Sequence, residues 1–207
     1  MQAVFNQHHN PFLVFHHYSL QDQTVALVRE IALAEAVDAD TREIALLTAW
    51  FYPIGYQIDY PNAATQSMRA LGRFFLATDY PEDKRRQVAA TLQALQQGQP
   101  NASPATRIVN DAYQIAAYLL DFANRKKLLE TEYDLLTAQQ LQQSPPPDAI
   151  TLLSNIRLFT AYAKSHYAKV RSTLLAEAYR QQKKQARKQS PTTTAAPFAD
   201  IEKTGPT

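Results

Sequence analysis

An all-α fold is what this chain predicts, and three features predict it. Only four of its 207 residues are glycine, too few for a turn-rich all-β protein. Alanine, leucine and glutamine dominate, and all three are good helix formers. Apolar residues then recur at helical spacing through most of the length. With 45% hydrophobic and 10% aromatic residues, a chain of this size holds one domain with a sizeable core.

Residues 1–18 are rich in aromatic residues and histidine, contain Pro11, and are expected to be irregular. The helical domain spans 19–189. Its first helix is expected from Asp22, a fitting N-cap, with Val25, Val28, Ile31, Ala32 and Ala36 on one stripe. A second starts near Asp40, with Glu43 three residues on as a capping-box variant. Ile44, Leu47, Thr48 and Phe51 form its apolar face, and Pro53 ends it. A third covers 62–78 with Met68, Leu71, Phe75 and Leu76 inward. Pro81, followed by Glu82 and Asp83, opens a fourth. Ser103-Pro104 opens a fifth that reaches about Tyr118. A long helix covers 121–142 and is broken by "SPPPD". Asp148 caps the next, to about Tyr162, and a last helix runs from His166 to about Lys188. Residues 190–207, rich in Pro, Thr and Ala, lack an apolar periodicity and read as a flexible tail or linker.

Several function classes are disfavoured at once. A net charge of +2 supplies no broad basic field for nucleic acid. The absence of cysteine removes disulfides, thiolate nucleophiles and Cys-zinc sites, and fits a cytoplasmic location. No apolar run approaches the ~20 residues that cross a bilayer. The opening "MQAVFNQHHNPF" lacks the basic and apolar regions of a signal peptide. There is no G-x-S-x-G, no Walker loop and no H-E-x-x-H.

Among polar groups, His8, His9, His16 and His17 cluster near the N-terminus and His166 lies far off. Adjacent histidines in an irregular segment rarely converge on one ion, so surface or partly packed side chains are expected. The basic stretch from Tyr179 to Lys188 suits a solvated helix end, where the dipole favours cations. An anionic membrane surface is the other reading of that run. Asp79, Glu82 and Asp83 are explained by capping. Asp111 lies in mid-helix, where aspartate is intrinsically disfavoured. Either a tertiary contact or solvent exposure accounts for it.

Four phrases resemble the HD-domain phosphohydrolases, in particular a bacterial subgroup of small metal-dependent members. Where that subgroup has Y-H-N-x-x-H-T, Tyr18 to Thr24 reads "YSLQDQT", with Ser19 and Gln23 at the histidine positions. Where it has A-W-F-H-D-T-G-Y, Ala49 to Tyr56 reads "AWFYPIGY", with Tyr52-Pro53 replacing His-Asp. Its H-E-E-x-S becomes "AATQS" from Ala63 to Ser67, and its D-A-D becomes "DAY" from Asp111 to Tyr113. The resemblance covers roughly residues 12 to 185. It implies an HD-like helical bundle with an extended C-terminal helix. It also implies that the family's metal ligands fall at Gln23, Tyr52, Pro53 and Tyr113. None of these is a good divalent-metal ligand, so no cofactor and no catalysis are expected. The implied cleft is lined by Ser19, Gln23, Tyr52, Tyr56, Asp111 and Tyr113.

In some bacterial proteins a similar module precedes the membrane region of Pycsar-type effectors, which act in anti-phage signalling by cyclic pyrimidine nucleotides. The closing "IEKTGPT" resembles the linker there. Such a chain is tethered to a membrane when a further region follows. Three readings follow from the resemblance. One is a non-catalytic regulatory or sensor module, nucleotide-binding and dimeric. A second is a structural interaction or dimerisation domain with a filled core. A third is a phosphohydrolase with unconventional ligands such as the N-terminal histidines. An open cleft at Tyr52 and Tyr113 favours the first and a packed one the second.

Overall fold

Residues 10–137 and 145–189 are described by a computed structural model of the chain, and every regular element among them is a helix. The order is α1 (Tyr18–Ala34), α2 (Ala39–Phe51), the short α3 (Ile54–Ile58), a 3-10 turn (Tyr60–Asn62), α4 (Ala63–Leu76) and α5 (Glu82–Gln96). Then come α6 (Pro104–Gln114), a π-helical turn (Ile115–Leu119), α7 (Phe122–Thr137), α8 (Ala149–Asn155) and α9 (Ala161–Gln189). His8, His9, the end of the helix expected to reach 142 and the tail lie outside the described residues.

Helix α2 is central and packs on α1, α4, α5 and α6, while α1 also packs on α6. Leu20, Val28 and Ile31 of α1, Ala45 and Ala49 of α2, Leu92 of α5 and Ile108 and Ala112 of α6 are buried in the common core. Each fully buried Leu or Ile contributes about 1.5–3 kcal/mol relative to exposure. The inward stripes of α1 and α2 follow the helical period read from the sequence.

The ends differ from expectation in instructive ways. Helix α1 begins at Tyr18, not Asp22, because His17 caps it: its Nδ1 accepts from Ser19 N at 3.3 Å. Ala36 is not on the apolar stripe. It turns the chain at φ 49°, and Val37 N donates back to Ala32 O at 3.3 Å, as in a Schellman stop. Asp38, not Asp40, caps α2 by accepting from Thr41 N at 2.7 Å. Glu43 is therefore free of capping and pairs with Lys84, which also meets Asp40 at 2.8 Å. Leu76 was expected inward but is 87% exposed, since the stripe through Leu71 and Phe75 leaves it on the side of the last turn. Met68 is half-buried.

Ser103 and Thr106 close a full capping box at the start of α6. After Gln114 the helix widens into the π turn, where Leu120 N reaches Ile115 O at 3.1 Å. Asp148 caps α8 through Thr151 N at 2.9 Å. That helix stops at Asn155 rather than near Tyr162, and α9 starts at Ala161 rather than His166. The cause is Asp111, described below. The basic end of α9 is exposed, as expected of a solvated terminus. No described helix is long and apolar enough to cross a membrane.

Candidate functional site

The turn between α2 and α3 carries Tyr52 and Pro53, α3 carries Gly55 and Tyr56, and hydrogen bonds to the backbone fix the shape of this corner. Ser67 of α4 is wholly buried; its Oγ donates to Tyr52 O and accepts from Gly55 N, both at 3.0 Å. A Cβ on Gly55 would lie 1.8 Å from Ala63 O, so only glycine fits against α4. The turn aims two rings in different directions. Tyr52 meets Tyr113 of α6 edge to face, with centroids 5.2 Å apart and planes at 85°. Tyr56 stacks on His16 at 3.8 Å and 19°.

Tyr52 and Tyr113 line a cleft of about 790 Å³. Its other walls include Asn101, Asn110, Arg157 and Phe159. Asn110 Nδ2 donates to Arg157 O at 3.0 Å and so ties α6 to the segment after α8. Burial raises the Tyr52 phenol to about 12 and the Tyr113 phenol well above its ordinary range. Both rings are therefore neutral at physiological pH, able to donate a hydrogen bond and to stack.

Asp111 answers the question its mid-helix position raised. It is wholly buried and does not line the cleft. Its Oδ2 accepts from Phe159 N at 2.9 Å, Thr160 N at 2.7 Å and Thr160 Oγ1 at 2.8 Å. Its Oδ1 accepts from Asn110 Nδ2 at 3.1 Å. Burial raises its pKa, and these donors pull it back. By taking the N–H groups of Phe159 and Thr160, the carboxylate breaks the helix after α8 and sets the start of α9. It is a brace that positions Phe159 in the cleft wall.

Ser19 and Gln23 do not join Tyr52 and Tyr113. Both are exposed on α1, where the neighbouring Gln21 is the one that turns inward to bond Trp50 O. Gln23 Oε1 accepts from Arg125 Nη2. The Arg125 side chain is largely buried, and burial lowers its pKa. The four positions that the resemblance makes ligands do not fit a divalent ion. Gln23 faces a guanidinium, Pro53 has no donor, and Tyr52 and Tyr113 hold their protons. Among the described residues no three His, Asp or Glu side chains converge as a metal site requires.

Tyr113 also faces the other way. With Tyr56, Tyr60 and Tyr118 it lines a second cavity of about 270 Å³. Behind this cavity is a pair that sequence reasoning missed. Glu132 of α7 is wholly buried and accepts from Phe15 N at 2.8 Å and His16 N at 2.9 Å, with His16 Nδ1 at 2.5 Å. Of the two expectations for the N-terminal histidines, surface or partly packed, His16 goes beyond the second: it is buried at 7% exposure. A signal existed in the spacing. Arg125, Leu129, Glu132 and Leu136 recur at one helical turn, so two charges fall on the apolar face of α7. His17 and His166 remain exposed, His166 stacking on Tyr162 at 4.3 Å.

Compared with family models, curated proteins and solved structures, the chain matches none.

Proposed function

We propose that this chain is a non-catalytic regulatory or sensor module that takes a nucleotide into the cleft lined by Tyr52 and Tyr113. One observation carries the reading: two neutral phenol rings stand in an open cleft of about 790 Å³ whose other walls offer amides and a guanidinium. Ligand pockets run from about 300 to 1,000 Å³, so a whole nucleotide fits. Aromatic rings stack bases, Asn101 and Asn110 suit base edges, and Arg157 suits phosphate. The HD-like resemblance supports the same reading, since such a shell keeps its cleft after its ligands are replaced. The resemblance to Pycsar-type modules makes cyclic pyrimidine nucleotides the first members of a test panel.

A structural interaction domain is the second reading. What favours it is that the buried polar groups Ser67, Asp111 and Glu132 each bond backbone groups of a distant segment, as scaffold residues do.

A thermal-shift panel of cyclic and linear nucleotides, with and without manganese, separates the readings. A ligand at about a hundred times its Kd adds about 2.7 kcal/mol. For a chain of this size that is a rise of about 5–10 °C. A rise with one nucleotide, lost in Tyr52→Ala, is the expected result. No rise with any nucleotide leaves the scaffold reading, and chelator-sensitive turnover with manganese overturns both.

A further inference from the structure

The second cavity has a chemistry of its own. Phe15, Tyr56, Tyr60, Tyr113, Tyr118 and Tyr133 surround it, and its remaining apolar walls include Pro146 and Pro147. Five elements and a loop supply the aromatic rings. Tyr118 arrives from the π turn, whose extra residue per turn changes the direction of the ring; such turns often mark functional sites. Phe15 and Tyr118 stack at 6.0 Å, and Tyr56 and Tyr60 meet at 5.0 Å and 62°, so the rings brace one another. Among the described lining residues there is no lysine and no arginine. Arg125 is two turns away along α7 and bonded to Gln23.

Behind the rings stands the Glu132 carboxylate, wholly buried. Its bonds to two backbone amides hold it in place without cancelling its charge. His16, which also lines the cavity, places its Nδ1 2.5 Å from Glu132 Oε1. Burial is the main cause that raises the phenols of Tyr56, Tyr60 and Tyr113, and the nearby Glu132 carboxylate adds to it. Aromatic faces carry partial negative charge and attract cations, most strongly where water is excluded. At about 270 Å³ the cavity lies below the ordinary range for a whole ligand and suits a head group.

We propose that this cavity is an aromatic cage for a small organic cation, of the quaternary ammonium class, held by the six rings and the buried charge of Glu132. The site is separate from the nucleotide cleft and does not depend on that reading. Among the described lining residues only Tyr113 is common to both.

Choline and its neutral carbon isostere, 3,3-dimethylbutan-1-ol, have nearly the same shape and differ in charge. Their binding to the full chain is to be compared by titration calorimetry at one fixed pH. Choline is expected to bind saturably and at least tenfold more tightly than the isostere, about 1.4 kcal/mol. Tyr133→Leu, at the half-buried edge of the cage, is expected to weaken choline at least fivefold while the helical circular dichroism is unchanged. Glu132→Gln is expected to erase the preference for charge; should that variant not fold, the wild-type comparison decides alone. Arg157→Ala is expected to leave choline binding unchanged. Equal affinity for the two probes, or no saturable choline binding in the millimolar range, overturns the proposal. So does loss of choline binding in Arg157→Ala, which would place the cation in the other cleft.

Discussion

Tyr113 is a wall between two cavities of opposite character. On one side lies the larger cleft, with Tyr52, amide side chains and Arg157, and no carboxylate among its described lining residues. On the other lies a smaller cavity of aromatic rings, backed by Glu132 and lined by no lysine or arginine. The difference follows from which helices contribute. The large cleft draws on α6 and on the segments after α5 and α8, which are polar. The small one draws on the inward face of α7 and the irregular segment before α1. One helix therefore divides an anion-favouring surface from a cation-favouring one, with α6 presenting Asn110 to one side and the π turn presenting Tyr118 to the other.

The comparison breaks most completely at Gly55, which lies between Tyr52 and Tyr56 and so holds both cavities. Gly55→Ala forces a Cβ against the Ala63 carbonyl, a backbone atom that cannot step aside. Overpacking usually costs 1–3 kcal/mol, and a clash with backbone should exceed about 3 kcal/mol. Urea unfolding should show that loss, and any folded fraction should lose binding at both sites. A variant within about 1 kcal/mol of the parent would mean that α3 and α4 are not packed as described.

Asp111→Ala should break one side only. It leaves the Phe159 and Thr160 N–H groups without their acceptor, at a cost of about 2–3 kcal/mol. Phe159 then leaves the wall of the large cleft. Nucleotide-dependent thermal shifts should shrink while choline titrations stay as in the parent. Equal damage to both would show that Tyr113 transmits the change across the wall.

The helices and their inward stripes were legible in the sequence, because the period of apolar residues is a local property. Helix ends were less so. Asp38 and Asp40 are both good caps by type, and Asp38 takes the role by accepting from Thr41 N and Thr41 Oγ1. Asp111 was recognisable as anomalous, yet its partners lie nearly fifty residues away, and no local pattern points to Phe159 and Thr160. Ser67 and Gly55 stood out only through the resemblance; the structure supplies the reason, a serine bridging a turn too close to α4 for any side chain. Placing Gln23 beside Tyr52 failed because a motif aligned in sequence says nothing of which way its helix is rotated. Glu132 was missed because the helix over 121–142 was read by its extent alone, without asking which charges fall on its apolar face.

The smallest effect at neutral pH, and the sharpest measure of the wall itself, is alkaline. In the folded chain the Tyr52 phenol is raised from 10.0 to about 12, and burial also raises those of Tyr56, Tyr113 and Tyr118. A group whose folded pKa is raised stabilises the fold fully below its unfolded pKa and ceases to do so as pH rises through the folded one. Stability should therefore be level up to about pH 10 and fall between about pH 10 and 12. Phenolate absorbance near 295 nm from these rings should rise together with the loss of helical circular dichroism, not before it. Tyr52→Phe removes one such phenol from the large cleft and Tyr56→Phe one from the small cavity, so each should move the alkaline midpoint upward. Tyr56 also sits in the field of Glu132, which Tyr52 does not share among its causes of shift. Removing that field by Glu132→Gln should lower the Tyr56 phenol and leave Tyr52 where it is. Should all eleven tyrosines ionise below pH 10 with the helices intact, the rings are open to water on both sides and the wall is not there.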